Sequence, residues 1–279
     1  MNELTEDQFR LLWEYFYRET GMAFTEGRHA YIAPRVAARM RATGTENFAA
    51  YFACLTAHAS AELAPFINAF TVNETYFFRE EYQLRCLTTD LLRHRTAAKP
   101  PGESVRLWSL PCSTGEEPYS LAIFLLENWG RADDYNIEII GSDIDTAVLA
   151  AAATGIYGKR ALMRLDAGLV EKYFEQLDED NWRIIQDLRD SVLLTPVNAV
   201  EPAEVRRHGR FDVIFCRNML IYFDEISRRT VAENLYEALL PGGYLCLGHA
   251  ESMSRISGLF EICRYDDAIV YRRPLEGKP

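Results

Sequence analysis

From Val105 onward the chain alternates short apolar runs with helical periodicity, and that alternation restricts it to very few architectures. The runs Val105-Arg106-Leu107-Trp108, Ile137-Glu138-Ile139-Ile140, Val192-Leu193-Leu194, Asp212-Val213-Ile214-Phe215-Cys216 and Tyr244-Leu245-Cys246-Leu247 read as strands. Between them, stretches such as Tyr119 to Asn128 and Glu225 to Leu240 place apolar residues at helical spacing. Strands of this kind, separated by helices, belong to a parallel sheet covered on both faces. Gly242-Gly243 is expected to end the long helix and start a strand. Leu259 to Cys263 and Ala268 to Arg272, on either side of Asp266-Asp267, predict a closing antiparallel hairpin.

Ahead of this region the pattern is purely helical. Thr5-Glu6-Asp7-Gln8 fits a capping box, and Phe9, Leu12, Trp13, Phe16 and Tyr17 then recur at helical spacing until Gly21. A second helix is predicted over about Gly27 to Ala42, interrupted by Pro34, and a third over Asn47 to Leu55. Residues 1–70 therefore form a helical domain. Residues 71–102 form a connecting segment, with a helix near Tyr82 to Arg95 and the breaker run Thr96 to Gly102. Residues 103–279 form the α/β domain. The stretch of about 155–191 is too long for an ordinary crossover, so it is expected to insert a small subdomain, with a helix around Leu169 to Leu177 followed by Trp182-Arg183-Ile184-Ile185.

Composition closes off several function classes. The 279 residues carry a formal net charge of -11, which opposes general attraction to phosphate backbones, so no nucleic-acid partner is expected. No apolar run approaches the roughly 20 residues needed to span a bilayer, and no leader pattern opens the chain, which places it in the cytoplasm without membrane insertion. The six cysteines are scattered, without metal-ligand spacing, and are expected as buried free thiols; no metal is expected.

The chemistry is written around Leu107-Trp108-Ser109-Leu110-Pro111-Cys112-Ser113-Thr114-Gly115-Glu116-Glu117-Pro118, which runs from a strand through a tight turn into a helix. In a doubly wound sheet such a turn lies at the carboxyl ends of the strands, where ligands bind. It is not GxGxxG, and its two acids would repel a pyrophosphate while suiting the ammonium and sulfonium of S-adenosylmethionine. Stabilisation of the helix N-terminus is the competing reading of Glu116 and Glu117. The next strand ends in Gly141-Ser142-Asp143-Ile144-Asp145. There Asp143 is assigned to ribose hydroxyls and Asp145 to the cap of the following helix.

Four segments, in order, resemble the motifs of the CheR chemotaxis receptor methyltransferases. They are Asn73 to Glu80, Ser113 to Ser120, Ser142 to Asp145 and Phe215-Cys216-Arg217-Asn218-Met219-Leu220-Ile221-Tyr222-Phe223. The likeness continues to Gly248-His249-Ala250-Glu251-Ser252 and the closing hairpin, so it covers nearly the whole chain. It implies a Rossmann-like class I methyltransferase domain and S-adenosylmethionine as cofactor. It further implies that Asn73, Thr75 and Arg79 reach over the cofactor, that Glu117 holds its methionyl portion and Asp143 its ribose, and that Asn198 and Ala199 lie beside the adenine. Arg217 and Asn218 would line the cofactor, while Arg79 and Tyr222 would be the catalytic pair. Taken singly, Asn73 also fits a helix cap, Arg79 a surface ion pair and Tyr222 a core aromatic. Pro111 departs from the glycine usual at its position in such folds.

The activity implied is methyl transfer to glutamate side chains of methyl-accepting chemotaxis receptors by a monomeric enzyme. A glutamate is ionised at neutral pH, so no strong general base is required. Arg28, Arg35 and Arg39 fall on one face if the helix continues past Pro34; a solvated charged face is one reading, and the resemblance favours docking of the acidic methylation helices of the receptor. Some family members hold a receptor tethering peptide on the inserted subdomain. The acidic stretch Glu175 to Asn181 predicts that this chain does not. Two alternatives stand beside this reading: a catalytically silent module that binds S-adenosylmethionine, and the same chemistry on a receptor array outside chemotaxis.

Overall fold

The computed structural model describes residues 4–23, 29–266 and 268–275, with backbone alone for 29–31. The chain opens with α1 (Glu6–Thr20), α2 (His29–Thr43), α3 (Phe48–Thr56) and α4 (Leu63–Asn68). The capping box forms as read: Gln8 N donates to Thr5 Oγ1 at 3.3 Å and Thr5 N to Gln8 Oε1 at 3.1 Å. Gly21, at φ 70°, ends α1 by donating its N–H to Tyr17 O. Pro34 lies inside α2 rather than breaking it. Pairs four residues apart, Leu12/Phe16, Ile32/Val36 and Tyr51/Leu55, meet Phe66 and Phe70 in a core of their own. That core gives the helical domain its integrity.

The connecting segment runs through α5 (Glu81–Cys86), a π-helical turn (Leu87–Leu91) and α6 (Leu92–Thr96). Next come β1 (Ser104–Ser109), α7 (Glu116–Asn128), β2 (Asn136–Asp143) and α8 (Thr146–Thr154). The insertion holds β3 (Ile156–Gly158), α9 (Lys159–Leu162), α10 (Ala167–Tyr173), β4 (Phe174–Gln176), β5 (Asn181–Ile184) and α11 (Gln186–Asp190). The chain closes with β6 (Val192–Pro196), α12 (Pro202–Arg206), β7 (Phe211–Cys216), α13 (Glu225–Ala238), β8 (Leu239–Leu247), β9 (Glu261–Arg264) and β10 (Ile269–Arg272).

The main sheet has the order β6-β2-β1-β7-β8-β10-β9, and a separate three-stranded sheet, β3-β5-β4, belongs to the insertion. Strands β6, β2, β1, β7 and β8 are parallel, while β10 pairs antiparallel with both β8 and β9. This is the α/β class expected, with its antiparallel end, its inserted small sheet and its all-helical N-terminal domain. Because β2 and β6 extend from one side of β1 and β7 and β8 from the other, the crevice at the carboxyl ends of β1 and β7 is the topological switch point.

Three local expectations change. Phe174 leaves the helix and starts β4, because its ring is drawn into an aromatic cluster with Phe77 and Tyr157, at centroid distances of 5.2 and 6.4 Å. Gly242-Gly243 does not precede β8 but lies within it, next to a register shift opposite Phe211 and Val213. Four cysteines are buried free thiols, whereas Cys54 is exposed and Cys263 half-buried.

Candidate active site

The turn after β1 lies at the switch point. Ser113 and Gly115 both adopt positive φ, 49° and 94°. A Cβ on Gly115 would lie 2.9 Å from the Tyr119 ring and 3.0 Å from Ala152 Cβ, so glycine is required there by space as well as by backbone. Pro111 follows a cis peptide bond and lines the cavity below.

Asp143, 3% exposed, ends β2 directly beneath this turn. Its Oδ2 accepts from Ser113 N and its Oδ1 from Asp145 N, both at 2.9 Å. Burial outweighs these bonds and pushes the carboxyl up to about 6. Asp145 takes the cap position of α8, accepting from Ala147 N at 2.8 Å and Val148 N at 3.2 Å. Its other oxygen accepts from Thr71 and from Asn73 Nδ2, which ties the connecting segment to the α/β domain.

Glu117 points inward from the first turn of α7. Ser109 Oγ donates to its Oε1 at 2.8 Å, and Arg217 Nε, from just beyond β7, donates to its Oε2 at 2.5 Å. Arg217 is 4% exposed, stands 3.9 Å from the Glu80 carboxylate and donates to the backbone carbonyl of Arg79 at 2.7 Å. One guanidinium therefore joins β7, α7 and the connecting segment. Glu116 turns away, accepting from Thr114 Oγ1 at 2.6 Å. The two acids of the turn thus differ, and only Glu117 reaches the crevice.

Glu117, Asp143 and Arg217 line one cavity of about 320 Å³. Asn73, Thr75 and Arg79 line it from the connecting segment, Asn198 and Ala199 from the loop after β6, and Asn218 and Tyr222 from the turn after β7. All ten residues read as cofactor-binding or catalytic thus lie around a single space. Arg79 donates to Glu74 O at 2.8 Å and is 5.8 Å from the centroid of the Tyr76 ring. Asn198 also clasps α1, because its Nδ2 donates to Glu19 O at 2.7 Å.

No motif in the sequence pointed to Thr20, Met22 or Ala23, yet they complete the lining from the helical domain. Ala23 N donates to Tyr222 O at 2.8 Å and Met22 bridges Phe223, so the end of α1 is stitched to the tyrosine-bearing turn. The single advance signal was Gly21, where a Cβ would come within 2.6 Å of Val200.

The arginines read as a docking face also have partners within the helical domain. Arg39 is not an open surface cation: its Nε and guanidinium terminus donate to Glu62 at 2.8 and 2.6 Å, and Tyr51 donates to the same carboxylate at 3.0 Å. A carboxylate only 5% exposed needs such partners, so Arg39, itself 25% exposed, also serves inside the helical domain. Arg35 is half-buried, with Nε donating to Ala69 O at 3.0 Å. Arg28 lies outside the described residues.

The cavity fits S-adenosylmethionine by its chemistry. A buried carboxylate at the tip of β2 suits paired ribose hydroxyls, and the Glu117–Arg217 pair presents both charges to a group that carries an ammonium and a carboxylate. Its volume lies within the usual range of roughly 300–1,000 Å³ for small-molecule sites. Among the described residues no cluster of side chains could hold a metal ion, and no helix is long and apolar enough to cross a membrane.

Comparison with known proteins agrees with this geometry. The sequence model described as "CheR methyltransferase, SAM binding domain" matches residues 73–269, and that described as "CheR methyltransferase, all-alpha domain" matches residues 7–71. The chain is 46% identical to chemotaxis protein methyltransferase 2 of Vibrio cholerae, across 100% of this chain and 97% of that one. It is 36% identical to chemotaxis protein methyltransferase 2 of Pseudomonas aeruginosa, covering 91% and 90% of the two chains. With the chemotaxis protein methyltransferase of Escherichia coli the identity is 34%, covering 93% and 89%. On these matches and on the cavity they enclose, the chain belongs to the CheR family and is an S-adenosylmethionine-dependent methyltransferase.

Proposed function

We propose that this enzyme methylates glutamate side chains of chemoreceptors, giving glutamate methyl esters, as a monomer in the cytoplasm. The observation that carries this reading is Arg79. It lines the cofactor cavity, and its bond to Glu74 O leaves it without a carboxylate partner among the described residues. A planar cation in that position suits an incoming acceptor carboxylate.

The bound cofactor supplies an electrophilic methyl on a positively charged sulfur. The cavity residues would hold that group so that an acceptor carboxylate oxygen lies in line with its methyl carbon; transfer would form the ester C–O bond at the expense of the C–S bond, whose electron pair would remain on sulfur. No proton moves. What the protein contributes is position: reacting atoms brought to about 3–3.5 Å replace a bimolecular encounter. Asp143 and Glu117 hold the nucleoside and methionyl ends, Asn73, Thr75, Asn198, Ala199, Arg217 and Asn218 complete the walls, and Tyr222 shapes the transfer site. Arg79 orients the acceptor, whose charge falls as the ester forms, so a moderate hold favours the transition state over the ground state. Receptor docking is assigned to the cations of the sequence pattern, Arg28, Arg35 and Arg39, of which Arg35 and Arg39 stand on α2.

The test is transfer of tritiated methyl from S-adenosylmethionine to chemoreceptor-bearing membranes. Label released as methanol by mild alkali is expected, since esters hydrolyse where N-methyl groups do not. Binding of S-adenosylhomocysteine without any transfer would instead fit a silent regulatory module.

A further inference from the structure

The loop Gly248–Ser252 has no part in the chemistry above. Its Glu251 nevertheless reaches the turn that carries Asn218 and Tyr222. Oε2 of Glu251 accepts from Asn218 N at 2.7 Å and from Gly248 N at 2.9 Å, while Oε1 accepts from Leu220 N at 2.7 Å. Donors at both oxygens favour the ionised carboxylate, while burial works against them and raises its pKa above the ordinary carboxylate value.

The turn needs such a hold. Asn218 sits at φ 58°, in the left-handed region that few residues with a Cβ adopt, though asparagine tolerates it better than most. Leu220–Tyr222 is a single 3-10 turn whose first N–H groups have no partner within it. The fit on the other side is equally close: a Cβ on Gly248 would lie 2.7 Å from Asn218 Nδ2 and 3.0 Å from Asn218 N. Tyr222 N donates to Met219 O at 3.1 Å, so the tyrosine moves with the turn. Arg217, one residue earlier, is held separately by Glu117 and Glu80.

We propose that Glu251 is a positioning residue for methyl transfer, its carboxylate fixing the turn after β7 so that Tyr222 meets the acceptor at the transfer site. This rests on the glutamate-methylation reading.

The variant E251Q is nearly isosteric but turns one acceptor into a donor facing backbone N–H groups. It is expected to fold, to bind S-adenosylhomocysteine within about tenfold of the parent because Arg217 is held independently and Asn218 alone of the cofactor walls is disturbed, and to lose about a hundredfold in kcat. E251D, which keeps the charge, should recover part of the rate. In protein labelled with 3-fluorotyrosine at position 222, E251Q should shift that fluorine resonance relative to the parent. Parent-like kcat, or equal loss of rate and of cofactor affinity, would overturn the proposal. If E251Q does not fold, G248A decides by the same readouts, since its methyl presses on the same turn. If the parent itself labels no receptor, the earlier reading fails, and an unshifted fluorine signal is then what sinks this one.

Discussion

Two buried arginine–glutamate clusters in this protein look alike and do different things. Arg217 and Glu117 pair at 2.5 Å with 4% and 9% of their side chains exposed. Arg39 and Glu62 pair at 2.6 Å with 25% and 5% exposed. The first opens on the cofactor cavity, and Glu80 and Ser109 share its charges. The second is closed by Tyr51, whose phenol is pushed up by burial and by Glu62 beside it, and it locks α2 onto the segment before α4. Ion-pair chemistry alone therefore does not separate a ligand site from a strut. The empty volume beside it does.

The largest effect expected from that contrast is in Arg217→Met. Removing a cation held between two carboxylates should lower apo stability by about 3–5 kcal/mol and abolish S-adenosylhomocysteine binding, read by denaturant titration and calorimetry. Retained binding would show that the cluster is a strut like its counterpart.

Next in size is Asp143→Asn, expected to weaken S-adenosylhomocysteine binding by about 1.5–3 kcal/mol through loss of charged hydrogen bonds. Its pH dependence has a definite sign. The folded-state value of about 6 lies above the ordinary 3.8, so between these the native state binds more protons than the unfolded one. The contribution of Asp143 to apo stability is therefore fully present below about pH 4 and lost as the pH rises through about 6. Cofactor affinity runs the other way, weakening about tenfold per pH unit below about 6 as the accepting carboxylate is protonated. A flat affinity from pH 5 to 7 would remove Asp143 from the ribose role.

Glu62→Gln should act on the other cluster alone, lowering stability by about 1–3 kcal/mol while leaving S-adenosylhomocysteine affinity unchanged. A weaker Kd in this variant would mean that the two regions are coupled through Met22 and Ala23.

The smallest effect expected is no effect. The β4–β5 turn is closed on itself, Asp178 Oδ1 accepting from Asp180 N at 2.8 Å and Asn181 N at 2.9 Å, and its acids oppose an acidic ligand. Calorimetric titration with a receptor C-terminal peptide should give no binding heat. Micromolar affinity would move receptor capture from the helical domain to the insertion.

Strands and helices with strong periodicity were legible: α1 with its capping box and Gly21, the parallel strands, and Asp145 as the cap of α8 all follow local rules of spacing and backbone preference. The residues of the motifs were legible too, but only as residues. Arg39 and Arg217 each present a cation on an amphipathic or strand-end pattern, and nothing within a few positions of either names its carboxylate partner, 23 and 100 residues away.

The α/β order, the helical first domain, the acidic turn and the family are thus all encoded in contiguous residues and can be read without coordinates. That Glu117 and not Glu116 faces the crevice emerges only when the chain is folded. So do the entry of Phe174 into a strand, the pairing of Arg39 with Glu62, and the grip of the Glu251 loop on the tyrosine turn. Those outcomes depend on which distant groups burial brings together. A buried charge or N–H must find a partner wherever the fold supplies one, and local spacing does not encode that partner.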